Sequence, residues 1–532
     1  MDGPEPSSVV AGALARAGIL GITPKQIAAT TRLPLPRVEA ELRSLSEGNR
    51  IDRVGRGLWV LSRWVRAPDT AVGFRSPEWY ATALAEETGT VIGTFPEETR
   101  VRSSAQPPIH RWWPYVQGFS AEFVARMMER YVPDPRMAVV LDPYCGSGTV
   151  PVVARLRGAR AVGIDLLPIA AFAAEVKQHW DVDPGELRAL AQQVTRPGAD
   201  PVTAAAPFLK ETRRQFSSTN LRALRELKGR IWALGASRAR ATLQLAFASI
   251  LIDASRLKRA PCLGYARTAS RSSASVPRLF RSAVARIAAD LEHLNAVRSS
   301  WGAPAKVVLG DSRMVDIRAN SVDLAITSPP YVNGMDYVMN YKIDLAWMDM
   351  ARSYSELSAL KSSMVACDNL PRGAVLAHVL SPLVAQDPWI SQVSSDIAEH
   401  IRTKSIYRRA DMGQIVAKYF DDLLPTIRNV LSWLRPGGRF VVVNGDSLMA
   451  GTYVPGDLIF ARLAARLGFE VESLGVSRIR RSGQRRGFLL RESVLTLRKP
   501  GGPGKVRTRM SSVRRPRASK TARRETQGPP ED

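Results

Sequence analysis

The stretch Asp142-Pro143-Tyr144-Cys145-Gly146-Ser147-Gly148-Thr149 decides the fold of this chain. An apolar run at residues 138–141 predicts a buried strand before it, and residues 149–156 predict a helix after it. Gly146 and Gly148 allow a tight turn and a close approach to a ligand, and the start of the helix offers unpaired amides. Because open α/β sheets bind ligands at the carboxyl ends of their strands, this stretch predicts a cofactor loop.

A second informative stretch, Thr327-Ser328-Pro329-Pro330-Tyr331, follows another predicted buried strand at residues 321–326. These residue types suit the methylation of an aromatic amine, which is a poor nucleophile because its nitrogen lone pair is delocalised into the ring. The hydroxyl of Ser328 and the backbone carbonyl of Pro329 can accept hydrogen bonds from such an amine, and Pro330 keeps the turn stiff and extended. Tyr331 offers a flat face to a base extruded from a duplex.

Together the two stretches resemble the amino methyltransferases of DNA, which move a methyl group from S-adenosylmethionine to the exocyclic nitrogen of cytosine or adenine. The first stretch is similar to that family's Asp-Pro-Phe-x-Gly-Ser-Gly-Thr motif and departs from it only by Tyr144. The resemblance implies S-adenosyl-L-methionine as cofactor, with Asp142 contacting its amino group. It also implies that the loop wraps the methionine portion, which assigns cofactor binding to Tyr144, Gly146, Ser147, Gly148 and Thr149. The four residues from Ser328 to Tyr331 take the catalytic roles.

The first residue of the second motif bears on the substrate. Ser328 resembles the cytosine-N4 enzymes, whereas Asp or Asn at this position is typical of adenine-N6 enzymes and of glutamine and RNA relatives. The resemblance therefore favours a site-specific DNA methyltransferase acting on cytosine N4. An adenine-N6 DNA methyltransferase and an RNA or protein-amide methyltransferase are the alternatives. A DNA-binding regulator that has lost the chemistry is a further alternative, against which the intact motifs argue.

Further cofactor residues are predicted at other strand ends and before the loop. Asp165 follows an apolar run at residues 161–164 and can accept hydrogen bonds from both ribose hydroxyls, although a helix N-cap before Pro168 fits the same position. The resemblance assigns the cofactor adenine to Gly310-Asp311-Ser312, with Asp311 and Ser312 as binding residues. It also places Tyr115 and Phe119, in the aromatic segment 110–120, over the methionine end, where core packing is the alternative.

The order of the predicted elements indicates an α/β protein with a Rossmann-like, seven-stranded methyltransferase fold and helical insertions. The catalytic domain is expected at residues 109–180 and 301–499. Residues 181–300 are rich in Ala, Arg and Leu with helical periodicity and are too long for a connection, so they predict a helical insertion and a candidate DNA-recognition region. Its candidate backbone contacts are Arg256, Lys258, Arg259, Arg267, Arg271, Arg278 and Arg281. Residues 351–412 are expected to be a second insertion and are another candidate for reading the DNA sequence.

The first 66 residues resemble the winged helix-turn-helix of DNA-binding proteins. Helices are predicted at residues 9–17, 24–31 and 36–47, with Thr23 as N-cap of the second, and a hairpin turns around residues 55–57. Docking on DNA is favoured over protein contact, with Arg37, Arg43, Arg53 and Arg56 as candidates. Residues 67–108 are expected to be a linker, and residues 500–532 a disordered basic tail.

The charge balance favours a polyanionic partner. The chain has 75 Lys plus Arg against 49 Asp plus Glu, a formal net charge of +26, so double-stranded DNA is the expected partner and solubility alone is the alternative. Neither a signal peptide nor a membrane-spanning run is evident, which predicts a cytoplasmic protein. The three cysteines have no metal-ligand spacing, so no metal is expected. A restriction partner and the oligomeric state stay open.

Overall fold

A computed structural model of the chain describes residues 10, 13, 23–47, 51–54, 58–61, 77–96, 107–116, 118–198, 202–259, 262–266, 275–296, 301–367, 370, 372–403, 409–481 and 489–501. The predicted basic tail lies outside these residues after Gly501. Within the described parts, no helix is both long enough and apolar enough to cross a membrane.

The N-terminal region contains two helices and a hairpin. They are α1 (Pro24–Thr31), α2 (Leu35–Glu47) and the antiparallel strands β1 (Ile51–Val54) and β2 (Leu58–Leu61). Thr23 caps α1 through a reciprocal capping box with Gln26, as its position before a proline predicted. The first predicted helix lies outside the described residues except for Val10 and Ala13, and so do the side chains of Arg53 and Arg56. A winged helix therefore stays a prediction.

The segment predicted to be a linker contains regular structure. Helix α3 (Pro77–Thr88) buries Tyr80 and Leu84 on one face, and strand β3 (Ile92–Thr94) joins the central sheet. The linker prediction is wrong for these residues. The strand was missed because Ile92-Gly93-Thr94 has only three residues, one of them a glycine, and so short a run carries no strand signal.

The other elements of the catalytic region alternate between strands and helices, as an α/β fold requires. They are α4 (Ala121–Tyr131), β4 (Val139–Asp142), α5 (Thr149–Leu156), β5 (Arg160–Asp165) and α6 (Pro168–Val176). Five elements of the first insertion follow: α7 (Pro184–Val194), α8 (Thr212–Gln215), α9 (Ser218–Ala233), α10 (Arg238–Ile250) and the hairpin β6 (Leu257–Arg259) with β7 (Leu263–Tyr265). The long helix α11 (Val276–Ala296) leads back to the sheet.

The chain then completes the sheet around a second group of helices. Strands β8 (Lys306–Leu309) and β9 (Val322–Thr327) lead to the second motif. Helices α12 (Tyr337–Asn340) and α13 (Lys342–Trp347) follow it. The second insertion contains α14 (Tyr354–Ser363), α15 (Arg372–Leu376), α16 (Pro382–Ala385) and α17 (Pro388–Thr403). The last elements are α18 (Met412–Trp433), β10 (Leu434–Gly445), β11 (Ser447–Met449), β12 (Thr452–Val454), α19 (Gly456–Arg466), β13 (Glu470–Arg481) and β14 (Leu489–Arg498).

The central sheet has the order β3-β13-β14-β10-β9-β4-β5-β8. Strand β14 runs antiparallel to both of its neighbours, and the other described pairings in this sheet are parallel. Seven of the strands form the predicted sheet with its reversed final hairpin, and β3 adds an eighth at the edge. The Rossmann-like methyltransferase fold is confirmed.

Both faces of the sheet are covered by helices, and the strand residues alternate between them. On β10, Phe440 and Val442 belong to the core that α18 and α19 form, whereas Val441 and Val443 belong to the core under α4 and α5. This alternation follows from the two-residue period of a strand. Burial on both faces explains why these strands are continuous apolar runs in the sequence.

The first insertion packs around an apolar core that it shares with neighbouring parts of the chain. Helices α7 and α9 to α11 share that core with Trp112, Trp113 and the helices that follow the second motif. Its predicted basic track is only partly available. Arg259 is buried in an ion pair with Asp344, and Arg281 donates to the hydroxyl of Thr195 at 3.2 Å. Arg267 and Arg271 lie outside the described residues.

Candidate active site

Four strand ends meet at one edge of the sheet. The order β9-β4-β5-β8 places the residues that follow these strands side by side, and a cavity enclosing about 840 Å³ lies there. Most of the predicted site residues line it: Tyr115, Phe119, Asp142, Tyr144, Gly146, Ser147, Thr149, Asp165, Asp311, Ser312, Ser328 and Pro330. The two motifs therefore share one cavity.

The loop after β4 needs glycine at both predicted positions. Gly146 and Gly148 have φ angles of +51° and +87°, which side chains rarely adopt. A Cβ atom on Gly146 would lie 2.7 Å from the ring of Tyr115, and one on Gly148 would lie 2.9 Å from Cβ of Ala174. Gly148 is thus a packing residue of the loop and is absent from the cavity lining.

Asp142 is held between the two motifs. Its Oδ1 accepts hydrogen bonds from the backbone amide of Tyr144 at 3.0 Å and from the hydroxyl of Thr327 at 2.7 Å. Burial raises the pKa of Asp142 to about 7, although both hydrogen bonds lower it. A buried carboxylate at the cavity wall can pair with a cationic amino group, as the resemblance predicts.

Asp165, at the end of the neighbouring strand β5, is hydrogen-bonded to the loop after β4. Its Oδ2 accepts from the amide of Gly146 and its Oδ1 from the amide of Leu167, each at 2.8 Å. Burial raises its pKa to about 6 against both hydrogen bonds. The N-cap of α6 is Leu167 and not Asp165. Because each carboxylate oxygen has a second lone pair, Asp165 can still accept from a ligand hydroxyl.

Asp311 is paired with a residue that the sequence analysis missed. Arg313 reaches both of its carboxylate oxygens, with Nε at 2.8 Å and 2.9 Å and Nη2 at 2.7 Å from Oδ2. Arg313 also lines the cavity and lies 3.5 Å from Asp422 of α18. The predicted contact of Asp311 with a cofactor amino group must therefore compete with this guanidinium.

The departure of Tyr144 from the family's Phe has a structural reason. Its hydroxyl lies 2.9 Å from Oγ1 of Thr426 on α18, and the hydroxyl of Ser312 lies 2.9 Å from the same atom. A phenyl ring could not join this group of hydroxyls. Tyr144 therefore connects the loop after β4, the loop after β8 and α18.

Stacked tyrosines form one wall of the cavity. The ring centroid of Tyr115 lies 5.4 Å from that of Tyr341 and 6.2 Å from that of Tyr337, with interplanar angles of 8° and 14°. The guanidinium of Arg259 lies 4.2 Å from the centroid of the Tyr341 ring. The predicted cofactor residue Tyr115 is thus supported by residues after the second motif and by the first insertion. Phe119 packs against Phe123 of α4.

The second motif turns from the cavity toward the antiparallel strands. Ser328 and Pro330 line the cavity, whereas Pro329 is buried and absent from the lining. The hydroxyl of Tyr331 lies 3.4 Å from Oε2 of Glu492 on β14. Burial raises the pKa of the Tyr331 phenol. Tyr419 of α18 donates to the carbonyl of Pro330 at 2.8 Å. The sequence analysis predicted the carbonyl of Pro329 as the acceptor for the amine. Tyr419 contacts the next carbonyl along the chain, that of Pro330.

Cys145 lines the cavity but does not suit nucleophilic catalysis. Burial raises the pKa of its thiol well above the ordinary value, so the neutral thiol dominates at neutral pH. The residues that the sequence analysis missed include Arg313, Tyr419 and Thr426.

The lining suits S-adenosyl-L-methionine. Asp142 and Asp165 can accept from an ammonium group and from ribose hydroxyls, and Leu167, Met364 and Val365 offer apolar surface to a planar base. Fold and lining together support S-adenosyl-L-methionine as the cofactor.

The chain is similar to two curated methyltransferases. It is 22% identical over 444 residues to the type II methyltransferase M.BsoBI of Geobacillus stearothermophilus, which spans 74% of this chain and 86% of the relative. It is 23% identical over 155 residues to the type II methyltransferase M.AvaI of a Nostoc strain, 29% of this chain and 32% of that relative. These similarities support the methyltransferase family that the motifs indicate. No family model matches the chain.

Solved structures give a more distant similarity. An S-adenosylmethionine-dependent methyltransferase of Methanosarcina mazei is 10% identical, with a TM-score of 0.25, over 70% of this chain and 97% of that one. A class I methyltransferase of Listeria monocytogenes, described as putative, is 9% identical, with a TM-score of 0.26, over 94% and 90%. Similarity at this level says nothing about the substrate of this chain.

Proposed function

We propose that this chain is a site-specific DNA methyltransferase that transfers the methyl group of S-adenosyl-L-methionine to N4 of an extruded cytosine. The observation that supports the proposal best is the shared cavity of the two motifs. Asp142 of the cofactor loop accepts a hydrogen bond from Thr327, which immediately precedes Ser328. This hydrogen bond supports methyl transfer from a cofactor held by the first motif to an amine held by the second.

The chemistry follows from the groups at the second motif. The bound cofactor supplies an electrophilic methyl group. Ser328 Oγ and the carbonyl of Pro329 accept hydrogen bonds from the two amine N–H groups, which draws the nitrogen toward tetrahedral geometry and stabilises its developing positive charge. As the methyl–sulfur bond breaks, its electrons would stay on sulfur, and one N–H proton would then leave to solvent. Tyr331 stacks on the extruded base, and much of the rate comes from positioning. A covalent intermediate is not required.

DNA is the proposed partner on two grounds. The similar proteins M.BsoBI and M.AvaI carry the name type II methyltransferase. The formal net charge of +26 favours a polyanion. In the N-terminal region, Arg37 and Arg43 on α2 are exposed, as a phosphate contact requires. We propose the N-terminal region and the first insertion as docking and recognition elements, with a restriction enzyme as a functional partner.

Ser328 supports cytosine N4 over adenine N6, because the cytosine-N4 enzymes have Ser at the corresponding position. Ser328 lines the same cavity as the cofactor loop. A carboxylate or amide at the same position is what the adenine-N6 enzymes use. An adenine-N6 activity is the alternative outcome of the test.

The test is expression in a host without DNA methylation, followed by digestion of its genomic DNA to nucleosides and mass spectrometry. N4-methylcytosine is the expected product, and sequencing of the same DNA for modified bases gives the recognition sequence. The Ser328→Ala variant is the matched control and should leave the DNA unmodified. N6-methyladenine would replace the cytosine proposal by the adenine one. Methylated RNA or protein without methylated DNA would overturn the proposal.

A further inference from the structure

The phenol of Tyr331 is surrounded by charged residues of the antiparallel strands. Its hydroxyl donates to Glu492, which accepts two short hydrogen bonds from Arg478, at 2.7 Å and 2.6 Å. The guanidinium carbon of Arg480 lies 5.8 Å from the centroid of the Tyr331 ring. Arg478 and Arg480 are two residues apart on β13, so they project from the same face of that strand.

Arg480 has a buried donor nitrogen that the described residues leave without an acceptor. Its Nη2 donates to the backbone carbonyl of Asp446 at 2.6 Å, which fixes the guanidinium in place. Its Nε is buried and has no hydrogen-bond partner among the described residues. A buried donor without an acceptor is costly, so the arrangement is best explained by an acceptor that enters with a ligand.

We propose that Arg480 is a specificity-determining residue that donates hydrogen bonds to the N3 and O2 acceptors of the extruded cytosine. The inference rests on the proposed function, because it places the target base against Tyr331. It goes beyond that function by naming a residue that distinguishes cytosine from adenine.

The chemistry of the two bases supports this role. Cytosine carries two neighbouring acceptors, N3 and O2, beside its amino group, and a planar guanidinium can donate to two such acceptors at once. On its Watson–Crick edge adenine offers only N1 beside its amino group, followed by a C–H, and its other neighbouring acceptor, N7, lies on the opposite side of the amino group. A guanidinium that faces adenine instead of cytosine makes one hydrogen bond fewer. A good bidentate contact discriminates between the right and the wrong base by about 5- to 150-fold.

The experiment compares wild-type protein with Arg480→Met, which keeps the length of the side chain and removes its donors. Arg480→Lys keeps the charge without the fork, and Ile479→Ala is the matched control, because Ile479 is the exposed neighbour on the other face of β13. The probe is a synthetic duplex with the methylated sequence found in genomic DNA. A second duplex has 3-deazacytosine at the target position, which lacks the N3 acceptor. Thermal melting and calorimetric cofactor binding report on folding.

Wild-type protein should lose about 5- to 150-fold in kcat/KM when 3-deazacytosine replaces cytosine. Arg480→Met should be slow on cytosine and lose little more on 3-deazacytosine, with melting and cofactor affinity unchanged. Arg480→Lys should recover part of the rate, and Ile479→Ala should match wild type. An equal penalty for 3-deazacytosine in wild type and Arg480→Met would overturn the inference while leaving the proposed function intact. A wild-type protein that makes no N4-methylcytosine would instead overturn the function.

Discussion

The hydroxyl of Thr327 donates to Oδ1 of Asp142 across 2.7 Å, although the two residues are 185 positions apart in the chain. Thr327 ends β9 and Asp142 ends β4, and these strands are parallel neighbours in the sheet. The hydrogen bond thus connects the acid assigned to the cofactor with the residue before Ser328. Both ends of it are buried, so its loss has a measurable cost.

Replacement of Thr327 by Val should weaken cofactor binding. The variant keeps the shape of the side chain but removes the hydroxyl, which leaves an oxygen of Asp142 with one donor fewer and disfavours its charged form. We expect the cofactor Kd to rise by about five- to tenfold, measured by calorimetry at neutral pH. Thr327→Ser keeps the hydroxyl and should bind nearly as wild type. Equal affinities for the Val and Ser variants would contradict the role of the hydrogen bond.

Cofactor affinity should increase with pH. Burial raises the pKa of Asp142 to about 7, so the carboxyl is mostly neutral at lower pH and cannot pair with an ammonium group. Because binding requires the ionised form, we expect affinity to be about eightfold higher at pH 7.5 than at pH 6, measured by calorimetry. Asp142→Asn should bind more weakly and show a shallower pH profile over this range, to which only Asp165, with a pKa of about 6, still contributes. An unchanged eightfold dependence in that variant would assign the titration to another group.

The substitution Gly146→Ala should damage the cofactor site without unfolding the protein. Its Cβ would lie 2.7 Å from the Tyr115 ring, at a residue with a φ of +51°. The ring must move, and the stack with Tyr341 must move with it, so cofactor affinity should fall by about tenfold or more. Gly93→Ala is the control, because its Cβ would meet open space. A wild-type Kd for Gly146→Ala would show that the ring contact is unimportant.

The variants Ser328→Ala and Tyr331→Ala should separate chemistry from cofactor binding. Ser328 is the proposed acceptor for the amine, and Tyr331 is absent from the cavity lining, so cofactor affinity should change little. The transfer rate should fall by about two orders of magnitude or more, through loss of acceptor geometry and of base positioning. Single-turnover assays on methylation-free DNA measure the rate, and calorimetry measures the affinity. Parallel losses of rate and affinity would argue against the assigned roles.

Arg259→Met should destabilise the fold. Arg259 and Asp344 form a buried ion pair, and the loss of one partner leaves an uncompensated buried charge that costs about 3–5 kcal/mol. Thermal denaturation should show a clearly lower Tm, and the double variant Arg259→Met/Asp344→Leu should recover part of it. Lys258→Met, on the same strand, should leave the Tm unchanged. A normal Tm with weaker, less salt-dependent DNA binding would restore Arg259 to the predicted basic track.

Much of the site was predictable because it lies at strand ends. A buried parallel strand is an apolar run, and the polar residue after it must lie at the ligand-binding edge, so Asp142, Asp165, Asp311 and Ser328 could be placed from the sequence. The partners of these residues could not. Arg313 pairs with Asp311 two positions away in a loop that has no periodic signal.

Contacts between distant segments were also beyond the sequence. Tyr419 reaches Pro330 across 89 positions, and its helix is apolar enough that a buried tyrosine looks like ordinary core. Strand β3 is three residues long, and only its pairing with β13 identifies it as part of the sheet. Arg259 was assigned to a solvent-facing track, because a basic residue in a helical, charged segment gives no sign of a buried acid 85 positions later.

The pairing of β3 with β13 affects how this protein can be trimmed. Thr90 and Phe95, on either side of β3, hydrogen-bond to Val471 and Val476 of β13, and Glu87 pairs with Arg462 of α19. A shortened chain that starts at Ile109, where the predicted catalytic domain begins, would lack β3. The edge of β13 that pairs with β3 would then have no described partner. Unpaired strand edges are templates for aggregation. Shortened versions should therefore start before Pro77 if they are to stay monodisperse.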